Sequence, residues 1–210
     1  MNVAIPIFDR VTALDAVGPY EVLSRLPGAH VSFLGTATGT YRTENGMLGL
    51  VADATLDEMP HPEVIVVPGG FGTRELLGDE SVLAWLRAGH ATSVFTTSVC
   101  TGSLVLAAAG ILDGLEATTH WLAMDVLAGL GAVPVSRRVV EQGKVITAAG
   151  VSSGIDMALM LAARIAGEDV AKAIQLGIEY DPEPPFESGS VAKAHPTVVE
   201  VVRAAAGQYA

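Results

Sequence analysis

The stretch Ser93-Val94-Phe95-Thr96-Thr97-Ser98-Val99-Cys100-Thr101-Gly102-Ser103-Leu104-Val105-Leu106-Ala107 changes its period at the cysteine. Before Cys100, β-branched and aromatic residues read as a buried strand. After it, Thr-Gly-Ser and then Leu-Val-Leu-Ala-Ala-Ala-Gly read as a helix packed on most sides and stopped by Gly110. Buried strands separated by helices imply a mostly parallel sheet covered on both faces.

The same alternation runs along the whole chain. Val3 to Phe8, His30 to Gly35 and Glu63 to Val67 read as strands, the last ending in Pro68-Gly69-Gly70. Helices are predicted from Asp15 to Leu23, Ser81 to Ala88, Leu122 to Ala128, Gly154 to Ala166, Val170 to Ile178 and Thr197 to about Ala206, with Asp15 near the first N-cap. Ala117 to Trp121 reads as short and extended. The segments 40–48, with its Asn-Gly turn, and 139–147 read as hairpins. No linker, repeat or low-complexity segment interrupts the pattern, so one domain over 1–210 is expected. Ligands of such sheets sit at the carboxyl ends of the strands. Asp15, Gly70 and Cys100 all fall just past strand ends and should converge on one rim.

Composition narrows the function classes. Half the residues are apolar and 17% charged, which fits a globular chain. A net charge of −11 without any Lys/Arg cluster argues against nucleic acid. One cysteine excludes an intrachain disulfide framework and fits a reducing cytoplasm. The amino terminus lacks the basic flank of a signal peptide, and no apolar run reaches the roughly 18 residues of a membrane span. A cytoplasmic, soluble protein is expected, with no membrane partner.

A side chain at a tight strand-to-helix turn projects over the first turn of the helix, the geometry of a nucleophile elbow. Helix N–H groups there favour thiolate and lower a cysteine pKa below its usual ~8.5. A buried free cysteine acting as a small hydrophobe is the competing reading, and on the residues alone the two stand level. Asp15, set between Leu14 and Ala16, is the proton-handling candidate for Cys100, because an apolar setting raises a carboxyl pKa. A helix cap is its plainer role. Gly70, with the N–H of Thr101, can line an oxyanion-hole-like pocket. His120 is separated from Cys100 and precedes Trp121, which favours a structural histidine at the pocket edge over a catalytic base. No spacing fits zinc, a Walker loop or a dinucleotide loop, so neither metal nor cofactor is expected. The proline-stiffened run from Glu179 to Phe186 reads as a surface strap.

Leu14-Asp15-Ala16-Val17-Gly18-Pro19, Val67-Pro68-Gly69-Gly70, Ser98-Val99-Cys100-Thr101-Gly102 and Ala117-Thr118-Thr119-His120-Trp121 together resemble the ThiJ/PfpI superfamily, in that order and at comparable spacing. Glu179-Tyr180-Asp181-Pro182-Glu183-Pro184-Pro185-Phe186, with Gly189-Ser190 after it, points to its isocyanide hydratase branch. The resemblance implies a flavodoxin-like sandwich in a class I glutamine amidotransferase-like domain, a homodimer, and Cys100 as nucleophile. The hydratase branch carries aspartate where many relatives carry glutamate, which agrees with Asp15. Thr101 breaks the Cys-His adjacency of protease-like relatives. Helix-turn-helix regulators share the Ala-Thr-Thr-His-Trp motif, but this chain leaves no room for a DNA-binding domain. The segment Thr147 to Val151 is bulkier than the branch's glycine-rich stretch, and Val151 is expected at the pocket wall.

The implied reaction adds water to an organic isocyanide through a Cys100 thioimidate, with Asp15 as general acid and base. Two alternatives stay open: a glyoxalase or deglycase acting on α-oxoaldehydes, and an oxidation sensor in which Cys100 becomes a sulfinate. The dimer contact is expected around Asp15 to Leu23, through Pro19, Tyr20 and Leu23.

Overall fold

A computed structural model of the chain describes residues 1–206. Two compact units divide it, Met1–Ile178 and Glu179–Ala210.

The first unit is built on a seven-stranded sheet, and the burial of β1 (Asn2–Pro6) shows why. Val3 and Ile5 point into one apolar cluster and Ala4 into another. Side chains alternate across a strand, so a strand that is apolar throughout must be covered on both faces. β6 (Val64–Val67) divides in the same way: Val64 and Val66 enter one cluster, Ile65 and Val67 the other. The remaining strands of the sheet are β2 (His30–Gly35), β5 (Ala54–Thr55), β7 (Phe95–Val99), β10 (Val139–Gln142) and β11 (Val145–Ala148). Their spatial order is β10-β11-β7-β6-β1-β2-β5, with every pairing parallel except the β10–β11 hairpin at one edge. Two small pairs stand apart, β3 (Gly39–Arg42) with β4 (Gly49–Ala52) and β8 (Glu116–Ala117) with β9 (Val133–Pro134).

One face of the sheet is covered by α1 (Ala13–Leu23), α6 (Ser153–Ala166) and α7 (Glu168–Gly177), through residues such as Val22, Leu161 and Ile174. The other face carries α3 (Glu80–Thr92), α4 (Gly102–Ala108) and α5 (Met124–Gly129), through Leu86, Leu106 and Leu127, with the one-turn α2 (Thr73–Leu76) leading into α3. This is the flavodoxin-like sandwich expected from the alternating pattern.

Three local expectations shift. Thr12, not Asp15, occupies the N-cap of α1, so Asp15 lies inside the first turn with its side chain free for another partner. Extended structure ends at Ala117, a short 3₁₀ turn covers Trp121–Ala123, and α5 starts only at Met124. Of the three residues expected to form the dimer contact, Pro19 and Leu23 are buried within this unit and Tyr20 reaches the surface.

In the second unit, residues 179–195 form neither helix nor strand, and α8 (Pro196–Ala206) follows with no buried residue. Among the described residues no helix is long and apolar enough to cross a membrane.

Candidate active site

Parallel order brings the carboxyl ends of β1, β6 and β7 side by side, and each ends in a loop carrying one part of the site. Cys100 follows β7 directly and takes φ +56°, a left-handed conformation that non-glycine residues adopt only when their surroundings hold them there. The surroundings do so. Its N–H is shared by the carbonyls of Ala148 and Ala149 at 3.0 and 2.8 Å. Its own carbonyl accepts from the hydroxyls of Ser103 at 3.1 Å and Thr119 at 3.0 Å. Such strain costs about 1–3 kcal/mol, comparable to what these bonds return.

Cys100 is 5% exposed, and the backbone N–H groups of Thr101 and Val151 donate to its sulfur. Those donors favour thiolate, as the elbow geometry predicts. They lose. Burial, and next the negative charge of Asp15, push the Cys100 pKa far above its ordinary value instead of below it. The expected low-pKa thiolate is therefore corrected: the sequence points to the helix terminus and to Asp15, but not to the depth of burial that outweighs the donors.

Asp15 is fully buried. Its Oδ2 accepts the N–H of Gly69 at 2.9 Å, while no N–H or O–H donor reaches Oδ1. The Cys100 thiol is the side chain hydrogen-bonded to the carboxyl. Burial, the largest influence, raises its pKa from 3.8 to about 7; the Gly69 N–H and Cys100 oppose the rise, and Glu44 adds to it. Gly69 admits no side chain, since a Cβ would stand 2.8 Å from Asp15 Oδ2 and 2.6 Å from the Thr101 nitrogen.

Gly70 does not serve as an oxyanion donor, because its N–H is already given to Thr101 Oγ1 at 3.0 Å. It acts as a strut instead. Its carbonyl accepts from Thr101 Oγ1 and from the buried Thr73 Oγ1, at 3.2 and 2.7 Å, which fixes the residue whose N–H faces the sulfur. His120 is half-buried, caps the 3₁₀ turn by accepting from Leu122 N–H at 3.4 Å, and has a pKa lowered by burial. It borders Gly150, where a Cβ would meet His120 Cδ2 at 2.9 Å, and so lies beside the loop that presents Val151. Sequence reasoning missed Thr73, Ser103 and Thr119. The only signal was an excess of small hydroxyl residues in segments otherwise read as core.

The DJ-1/PfpI family model matches residues 1–164, and the chain belongs to that family. A THiJ/PfpI family protein from Pseudomonas syringae, of solved structure, superimposes with a TM-score of 0.95 at 35% identity, covering 99% of this chain and 86% of that one. The isonitrile hydratase of Pseudomonas putida is 43% identical over 203 residues, 97% of this chain and 89% of its own length. The transcriptional regulator CdhR of Pseudomonas aeruginosa is 31% identical over 80% of this chain, which spans only 50% of the regulator.

Proposed function

We propose that this protein is an isocyanide hydratase, a cysteine-dependent hydro-lyase converting R–N≡C and water into an N-substituted formamide. Its likeness to the Pseudomonas putida isonitrile hydratase along almost the whole chain carries the reading. The chemistry follows from the Asp15–Cys100 pair. Above about pH 7 the pair holds one proton, on the thiol, beside an ionised carboxylate. As sulfur attacks the terminal carbon of the isocyanide, the thiol proton passes to Asp15, and Asp15 delivers it to the carbon, whose electron pair has no other acceptor. The product is a thioimidate, R–N=CH–S–Cys100. Water then adds to that carbon, the nitrogen gains a proton, and the C–S bond breaks with its electrons on sulfur. The formamide R–NH–CHO leaves and the thiol is restored. Covalent catalysis divides one hard step into two easier ones. Thr101 and Val151 N–H groups stabilise sulfur whenever it bears charge.

A side-by-side assay with cyclohexyl isocyanide and methylglyoxal tests this reading. Formamide production that vanishes in Cys100→Ala is expected. Turnover of methylglyoxal alone would replace the hydratase with the glyoxalase reading, and turnover of neither would leave the oxidation sensor.

A homodimer belongs to the same proposal. Leu14 and Tyr20 of α1, 41% and 36% exposed, are apolar residues a symmetric partner can cover. Light scattering should return twice 21.6 kDa. A single thiol that must stay reduced suits the cytoplasm.

A further inference from the structure

The turn between β3 and β4 brings one charged side chain to the site from outside the three strand ends. Glu44 is exposed, yet its position is set on two sides. Its N–H donates to the Val11 carbonyl at 3.1 Å, and its Oε2 accepts from Thr12 Oγ1 at 3.0 Å. Thr12 is the N-cap of α1, and its carbonyl accepts the N–H of Asp15 at 3.1 Å. Its own N–H donates at 2.9 Å to the carbonyl of Gly69, the residue whose N–H holds Asp15 Oδ2. One residue, Thr12, thus ties the exposed carboxylate to the buried one.

We propose that Glu44 is a charge-selecting residue of this site, its fixed carboxylate favouring uncharged isocyanides over those bearing a carboxylate of their own. The proposal rests on the hydratase reading. A substrate at Cys100 lies beside Asp15, so a carboxylate of its own is repelled by Asp15 and, across Asp15, by the Glu44 charge that already acts on that residue. An uncharged isocyanide pays none. The same field acts on the catalytic proton, because Glu44 disfavours ionisation of Asp15.

Charges on the neighbouring elements are mostly paired with one another. Only Cys100, from the turn before α4, and Glu44 act on it as titratable groups. On α1, Glu21 is paired with Arg25. On α6, which packs along α1, Asp156 and Arg164 are paired with Arg138 and Glu141. In the loop before α1, Arg10 is paired with Glu75 and lies over the Phe71 ring. The Arg42 guanidinium lies against Gly49.

Glu44→Gln isolates the charge, since the amide oxygen still accepts from Thr12. The experiment measures kcat/KM for cyclohexyl isocyanide and for isocyanoacetate, from about pH 5 to 9, in both proteins. In the variant the acid limb should move down by roughly half a pH unit. Isocyanoacetate should gain roughly threefold or more relative to the uncharged substrate, and about 0.5 M salt should shrink both differences because Glu44 is exposed. An unmoved limb with an unchanged substrate ratio would overturn the proposal. Should the wild type turn over neither isocyanide, the hydratase reading fails by itself. Carboxyl ¹³C NMR titration of Asp15 then decides the remainder: a lower ionisation pH in Glu44→Gln upholds the action of Glu44, and identical titrations overturn it.

Discussion

Strand β7 has a polar cluster at each end, and the two are built on opposite terms. At its start, Thr96 Oγ1 meets His90 Nδ1 and Ser93 Oγ, both at 2.9 Å, while the Lys144 ammonium donates to the carbonyls of His90 and Ser93. Every polar group named there has a partner. Just past its other end, Asp15 Oδ1 has no N–H or O–H donor, Cys100 sits at positive φ, and both acids are held away from their ordinary pKa. Buried polar groups are usually satisfied, so a carboxylate oxygen left without an N–H or O–H donor fits the proton-carrying role proposed for Asp15. The midstrand hydroxyl of Ser98 is also buried without a partner, but it has no proton to trade near neutral pH.

The two ends also respond to pH with opposite sign. Asp15 holds its proton up to about 7 in the folded protein against 3.8 for an ordinary aspartate, so its contribution to stability is full below the lower value and is lost as pH rises through the upper. His90 has its pKa lowered, first by burial and then by Lys144, so its contribution is present above 6.5 and is lost as pH falls through the folded value.

Substitution at the reactive end should have the larger catalytic effect. Asp15→Asn keeps an oxygen for the Gly69 N–H but cannot carry the proton, so kcat should fall by roughly 10²–10⁴-fold. Stability should move the other way: the variant gains on the wild type as pH rises from about 5 to 8, because only the wild type must bury a carboxylate there. Parallel losses of activity and stability, read by kinetics and thermal melts across that range, would return Asp15 to a structural role. At the satisfied end the pattern reverses. Thr96→Val leaves His90 and Ser93 without their shared partner and should cost about 1–3 kcal/mol in denaturant melts, with kcat unchanged within about twofold. A catalytic defect there would mean that the two ends of β7 are coupled.

How much of this was legible in the sequence follows from the range of each signal. Strand β6 showed itself as a short apolar run and β7 as a β-branched and aromatic one, and both hairpins announced their turns, because those signals lie within a few residues. The two-residue strands β5, β8 and β9 carry no period to detect. Cys100 was visible through the local switch from strand to helix. Asp15 was visible as a carboxyl in an apolar setting, but its capping role gave way to Thr12, since the partner of its side chain lies at Gly69, 54 residues away. The direction of the Cys100 pKa was missed for the same reason: local helix donors can be read from sequence, whereas the opposing carboxylate and the burial come from tertiary packing. Val151 was expected at the pocket wall, but not as a backbone donor to the sulfur, and nothing in the residues around Glu44 marks its charge as reaching Asp15.

In the proposed hydration, isocyanide carbon becomes bonded to Cys100 during turnover. Rapid acid quench of the wild type with excess isocyanide, followed by intact and peptide mass spectrometry, tests it directly. A transient adduct equal to one whole isocyanide, without added water, is expected on the peptide containing Cys100, with no adduct in Cys100→Ala. Formamide formation by Cys100→Ala, or an adduct on any other residue, would contradict it.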